Sequence, residues 1–163
     1  SAELDLKDGQ ATEAYIAAQE PDLIIHAAGR VGGIQANMAN PVGFLVDNLD
    51  MGRNIVMAAR KAGIPRLLNI GSSCMYPRDA PNPLKEASVL TGELEPTNEG
   101  YALAKVMTAR LCDYVRRSTP NLAYKTLIPC NIFGLYDKFD PAVSHLLPAI
   151  IRKGDRLARR LHA

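Results

Sequence analysis

Asp22-Leu23-Ile24-Ile25-His26-Ala27-Ala28, closed by Gly29, is a short and nearly continuous apolar run. A strand that alternates apolar and polar residues shows one face to water, whereas an unbroken run suits a strand buried on both faces of a parallel sheet. Working outward, the pattern repeats. Arg66 to Gly71 holds the run Leu67-Leu68-Asn69-Ile70, and Tyr124 to Ile128 is a third run, stopped by Pro129. Helical spacing fills the intervals. Asn48 to Ala62 carries an apolar stripe through Met51, Ile55, Ala58 and Ala62, with Gly63 where a helix-ending glycine belongs and Pro65 just beyond. Tyr101 to Arg117 is predicted to turn Leu103, Val106, Leu111 and Val115 inward. Gln10 to Ala18 precedes the first strand, and Ala142 to Lys153 reads as a helix interrupted or bent near Pro148.

Strands alternating with helices over short connections predict an α/β fold, a Rossmann-like doubly wound parallel sheet with helices on both faces. In such sheets ligands collect beyond the carboxyl ends of the strands. The segments to search are therefore Gly29 to Gly33, Ser72 to Pro77, and Pro129 to Gly134. The proline-bearing stretch from Pro77 to Gly100 is too long for a plain connection and is expected to be a functional loop.

Tyr101-Ala102-Leu103-Ala104-Lys105 places a phenol and an ammonium four residues apart, on one face of a helix. A phenol with an ordinary pKa of about 10 is a poor acid-base catalyst at neutral pH. A neighbouring ammonium is expected to favour the phenolate and lower that value. Ser72, just past a strand end, is positioned to hydrogen-bond the same carbonyl oxygen that Tyr101 would protonate. By itself a Tyr-x-x-x-Lys spacing is usually an exposed pair on a helix; its place after a strand-end Ser-Ser in an alternating pattern favours chemistry.

A strand-end serine followed by Tyr-x-x-x-Lys resembles the catalytic set of the extended short-chain dehydrogenase/reductase family, which acts on nucleotide sugars. Three longer strings are similar to one branch of it: Val31-Gly32-Gly33-Ile34-Gln35-Ala36-Asn37, Gly71-Ser72-Ser73-Cys74-Met75-Tyr76-Pro77, and Leu94-Glu95-Pro96-Thr97-Asn98-Glu99-Gly100-Tyr101-Ala102-Leu103-Ala104-Lys105. The likeness runs from Glu3 to about Lys153. It implies NADPH-dependent 3,5-epimerisation and 4-reduction of GDP-4-keto-6-deoxy-D-mannose to GDP-L-fucose, with NADP(H) as cofactor and a GDP-sugar as substrate. Tyr101 would be the proton donor, Lys105 would lower its pKa and bind the nicotinamide ribose, and Ser72 would polarise the carbonyl. Cys74 and His145 would be the pair that moves protons at the two carbons beside the ketone. On the cofactor side the resemblance implies Ile70, Gly71, Ser72 and Ser73 under the nicotinamide half, with Tyr101, Lys105 and His145 beside it. Pro129, Cys130, Asn131 and Ile132 would follow the cofactor's other edge. Ala27, Ala28 and Gly29 would let backbone approach the dinucleotide, and Asp5 and Leu6 would border the adenine. Lys153, with Arg152 as its competitor, would contact the nucleotide-sugar.

Residues 1–153 are accordingly expected to form part of an NADP-binding domain and residues 154–163 a divergent tail. The Gly-x-x-Gly-x-x-Gly turn that seats a pyrophosphate on a helix N-terminus is not among the 163 residues. The resemblance puts that turn one βαβ unit upstream of Glu3, so the chain is expected to be the middle of a longer enzyme and inactive by itself. Other readings are a different nucleotide-sugar epimerase or dehydratase, against which Cys74 with His145 discriminates, and a non-catalytic remnant. Net charge is +2, without a basic arm for nucleic acid. Arg152, Lys153, Arg156, Arg159 and Arg160 read as a solvated helix face or as a site for a phosphorylated ligand. No apolar stretch approaches the roughly 20 residues of a membrane span, and no signal-peptide pattern is present. Three cysteines, Cys74, Cys112 and Cys130, lack a C-x-x-C pair. They fit neither a disulfide framework nor a metal site, and they suit the cytoplasm. Cys112 and His26 read as structural. Family members are usually homodimers, with the Asn48 to Ala62 and Tyr101 to Arg117 helices at the interface.

Overall fold

The computed structural model describes residues 4–132, 134–137, 139 and 146–161. Helix α1 spans Gly9–Gln19, strand β1 Ile24–His26, α2 Ile34–Ala39, α3 Pro41–Lys61, β2 Arg66–Ile70, α4 Glu99–Ser118, β3 Ala123–Leu127 and α5 Leu146–Leu161. The strands form one parallel sheet in the order β1-β2-β3, with Ile24 opposite Leu67 and Leu67 opposite Tyr124. The parallel α/β architecture read from the sequence is therefore present.

The register decides which side chains share a face. Ile24, Leu67 and Tyr124 point to the side where Ile55, Val56, Ala58 and Ala59 of α3 and Cys112 and Val115 of α4 complete the core. Ile16 of α1 joins the same cluster. Tyr124 lies in it with its phenol satisfied, the hydroxyl donating to the Ile64 carbonyl at 3.1 Å. The opposite face carries Ile25, 60% exposed, and Leu127, 53% exposed. Burial of the strands on both faces is thus corrected for these three strands: among the described residues α1, α3 and α4 cover one side of the sheet, and the other side is partly exposed. An unbroken apolar run records that both faces are apolar, not what covers them.

Helix α3 begins seven residues before its predicted start. Asn40 caps it, its side chain accepting from Gly43 N at 2.9 Å, and Pro41 supplies a first residue whose missing N–H costs nothing there. At its other end Gly63 takes φ +70°. Gly63 N donates to Arg60 O at 3.1 Å and Ile64 N to Ala59 O at 2.9 Å, the double closure that ends a helix with a left-handed residue. Of the inward face predicted for α4, Val106 and Val115 are buried and Leu111 packs on the core, but Leu103 is corrected: it is 36% exposed, and Ala102, Ala104, Lys105, Thr108 and Cys112 are buried beside the two valines. Small residues face α3 because the two helices approach closely at Gly52 and Thr108. Pro148 falls in the first described turn of α5, where no intrahelical N–H partner is required, and α5 runs unbroken across residues 153 and 154.

Candidate active site

Lys105 organises the carboxyl edge of the sheet. It is only 7% exposed, and its ammonium donates to the carbonyl of Ile70, the last residue of β2, at 3.0 Å. Helix α4 brings Tyr101 one turn earlier, with Lys105 Nζ 5.8 Å from the Tyr101 ring centroid. Gly29, beyond β1, lies next to the same ammonium. A Cβ there would stand 3.6 Å from Lys105 Nζ and 3.1 Å from Asn48 Oδ1. The Asn48 side chain accepts from Arg30 N at 2.9 Å and donates to Arg30 O at 3.1 Å, which ties this strand-end turn to α3.

Beyond β2 the chain enters a short 3₁₀ turn, Ser73–Met75, capped by Ser72, whose Oγ accepts from Cys74 N at 3.3 Å. Met75 is buried beneath it and anchors the turn. Ser72, Ser73, Cys74 and Tyr101 line one cavity of about 380 Å³ with Gly71, Pro129, Cys130, Asn131 and Ile132. Its remaining wall comes from Val31 to Ile34, Asn37 and Asn98. The three strand-end segments selected from the sequence thus border one space or its edge. The long loop expected to be functional contributes Asn98 to this wall, and the turn just before it contributes Cys74.

Burial raises the Tyr101 phenol above its ordinary value; a hydrogen bond with Ser72 pulls it down, and the charge of Cys74 pushes it up again. Lys105, expected to lower this value, is not among the causes of the net shift; its ammonium is held by the Ile70 carbonyl, 5.8 Å from the ring centroid. The phenol is therefore protonated at neutral pH, as an unperturbed phenol is, and is a weaker acid than one. Lys105 is lowered by burial. His26, buried at the end of β1, is lowered to about 4, first by burial and then by the Lys105 charge, so it is neutral, consistent with its structural reading. Cys112 is buried, with its thiol pushed up to about 11 by burial.

Other site residues fall elsewhere. His145 lies outside the described residues. Asp5 and Leu6 do not line the cavity; Asp5 accepts from Lys7 N at 3.0 Å and Leu6 packs on the core. Ala27 and Ala28 are exposed beyond β1. Arg152 donates to Phe139 O at 3.2 Å, and Lys153 is exposed on α5. Asn37 and Asn98 received no role from the sequence, although both stand inside the quoted strings. Each has a side-chain oxygen that is buried without a hydrogen-bond partner. Asn98 directly precedes the helix that carries the Tyr-x-x-x-Lys pair, and that adjacency was the available signal. Among the described residues no group of His, Cys, Asp or Glu is arranged to hold a metal, and no helix is long and apolar enough to cross a membrane.

A serine, a tyrosine and a lysine gather at the carboxyl edge of a parallel sheet, the place where doubly wound α/β proteins collect their ligands. The chain belongs to the NAD dependent epimerase/dehydratase family, whose model matches residues 1–158. It is 55% identical to the GDP-L-colitose synthase of Yersinia pseudotuberculosis and 52% identical to the GDP-L-fucose synthase of Azorhizobium caulinodans, over 94% of its own length in each case. It spans about half the length of these relatives, 50% and 49%. Among solved structures it resembles a GDP-L-fucose synthetase from Naegleria fowleri bound to NADP, at 29% identity with a TM-score of 0.88, covering 98% of this chain and 49% of that one. A GDP-D-glycero-L-gluco-heptose synthase from Campylobacter jejuni, solved with NADPH, matches at 31% and 0.87, covering 93% and 44%.

Proposed function

We propose that this chain supplies the catalytic centre for NADPH-dependent 3,5-epimerisation and 4-reduction of GDP-4-keto-6-deoxy-D-mannose to GDP-L-fucose. The observation that carries the proposal is the gathering of Ser72, Cys74 and Tyr101 around one cavity, with Lys105 buried behind them. The residues suit the nicotinamide half of a dinucleotide. Lys105 has three N–H groups, one of which goes to Ile70, leaving donors for ribose hydroxyls. A Cβ at residue 29 would stand 3.1 Å from Asn48 Oδ1 and in contact with the ammonium at 3.6 Å, so glycine keeps a side chain out of that space, and Ala27 and Ala28 are exposed beyond β1.

When bound, NADPH supplies the hydride that reduces C4. Tyr101 gives its proton to the carbonyl oxygen, and Ser72 hydrogen-bonds that oxygen. Cys74 moves a proton at a carbon beside the ketone, and His145 is the second group of the pair. In this reading Ile70 to Ser73 and Pro129 to Ile132 flank the cofactor, Asp5 and Leu6 border its adenine, and Lys153 or Arg152 meets the nucleotide-sugar. Residues 1–153 are then the NADP-binding part and 154–163 its tail. A cytoplasmic homodimer joined through α3 and α4 completes the proposal, supported by the exposed Val46, Met107 and Tyr114 on those helices.

A second reading keeps the chemistry and changes the sugar. The 55% identity to a GDP-L-colitose synthase favours the GDP-keto sugar leading to colitose. The native polypeptide carrying this sequence, given NADPH and each keto sugar in turn, should consume NADPH and yield GDP-L-fucose or GDP-L-colitose by NMR. Tyr101→Phe should remove turnover. Consumption with neither sugar would overturn both readings and leave the non-catalytic one.

A further inference from the structure

Asparagine is among the strongest helix N-caps because its side-chain oxygen accepts a free N–H of the first turn. Asn98 occupies the cap position of α4 and makes no such bond. Its side chain turns back across 24 residues instead, and Nδ2 donates to Cys74 Sγ at 3.1 Å. Its Oδ1 is buried with no hydrogen-bond partner. The residue thus gives up a cap and leaves a polar atom unsatisfied, two local costs that the fold of α4 does not require. The surrounding chain holds the amide in place: Asn98 N donates to Glu95 O at 3.2 Å, and the Glu95 carboxylate accepts from Thr97 N and Thr97 Oγ1. Cys74 is equally fixed, between Ser72 Oγ on its N–H and the buried Met75 beside it. Both residues line the cavity of Tyr101.

We propose that Asn98 is a positioning residue for Cys74, its amide N–H aiming the sulfur into the cavity and stabilising the negative sulfur between proton transfers. The proposal rests on the reading of Cys74 as a proton-transfer group. When the sulfur acts as base, the C–H bond beside the ketone breaks, its electron pair passes into the enolate, and the proton goes to sulfur. Acting as acid, it returns the proton to carbon and becomes negative. In both directions one state is anionic, and a donor N–H strengthens on that state. A carboxylate of the same shape would repel it.

The test compares wild type with Asn98→Asp, which keeps the shape and loses the N–H, and with Asn98→Ala. Iodoacetamide labelling at one neutral pH, resolved by peptide mass spectrometry, reads Cys74 against Cys130 as internal reference. Cys74 labelling is expected to slow about tenfold in both variants, the effect of one charge-assisted hydrogen bond, with Cys130 unchanged. In the native polypeptide, kcat for solvent deuterium incorporation into the GDP-keto sugar should fall about as much, with KM unmoved. Unchanged Cys74 labelling and unchanged exchange in a folded variant would overturn the proposal; should one variant fail to fold by thermal melt, the other decides. A wild type that neither exchanges deuterium nor consumes NADPH, while labelling still slows in the variants, overturns the proposed function and leaves the pairing of Asn98 with Cys74 standing.

Discussion

Gly52→Ala tests the close crossing of α3 and α4. Helices α3 and α4 form the most extensive helix pair, and Gly52 lies at the crossing. A Cβ at residue 52 would overlap Thr108 Oγ1 and stand 2.9 Å from Cγ2 and 3.1 Å from Cβ of the same threonine. Thr108 has no room to yield: it is 3% exposed, its branched side chain is stiff, and its hydroxyl donates to Ala104 O at 2.9 Å. Alanine in a helix interior gains about 1 kcal/mol over glycine. Overpacking costs about 1–3 kcal/mol, and more where backbones must separate. With three side-chain atoms in the way, the net loss should be about 2 kcal/mol, or about 6 °C in Tm for a chain of this size. Thr108→Ala alone should cost about 1 kcal/mol through the space it leaves. In the double variant the new methyl enters that space, so stability should recover relative to Gly52→Ala, a coupling of about 2 kcal/mol. Urea unfolding followed by far-UV circular dichroism measures all four corners of the cycle. A neutral Gly52→Ala, or losses that simply add in the double variant, would refute the packing argument.

His26 should make stability pH-dependent. Its folded value of about 4 lies below the ordinary 6.5, so the unfolded chain binds the proton first as pH falls. That contribution is fully present above pH 6.5 and is lost progressively down to about pH 4, amounting to about 3 kcal/mol; urea titrations of wild type and His26→Gln should differ in slope across that window. Lys105→Met keeps the stem and removes the charge. It should lower kcat/KM for NADPH by about 10²-fold, and by NMR titration His26 should move back up, because the Lys105 charge is one of the two causes holding it down. Gly63→Ala meets open space but forces alanine to φ +70°, so it should cost about 1 kcal/mol, seen as a lower urea midpoint at unchanged slope.

The strands and helices were legible because their signals are local. Leu67-Leu68-Asn69-Ile70 and the glycine after α3 reveal themselves by hydrophobic period and by the φ that only glycine adopts freely. The start of α3 lies ahead of the apolar stripe from Met51 on which the helix was read, at Pro41, a residue favoured in a helix's first turn. Leu103 was misplaced on α4 for a different reason. Leu103 has the larger apolar surface, but the distance to α3 is set by Gly52, and that distance admits Ala102, Ala104 and Thr108.

For the site the division is similar. The pairing of Tyr101 with Lys105 and the place of Ser72 just past a strand end were readable from residue type and spacing, because both depend on local backbone geometry, whereas Cys74 was singled out by the family resemblance. What those groups do to one another was not. Only the fold places the Lys105 ammonium on the Ile70 carbonyl, buries Tyr101 so that its phenol rises above its ordinary value, and turns Asn98 from its helix onto Cys74. Composition and spacing determine which groups reach the strand ends. Desolvation and hydrogen-bond partners across 24 or 35 residues of chain depend on how the elements pack, and that is settled only in three dimensions.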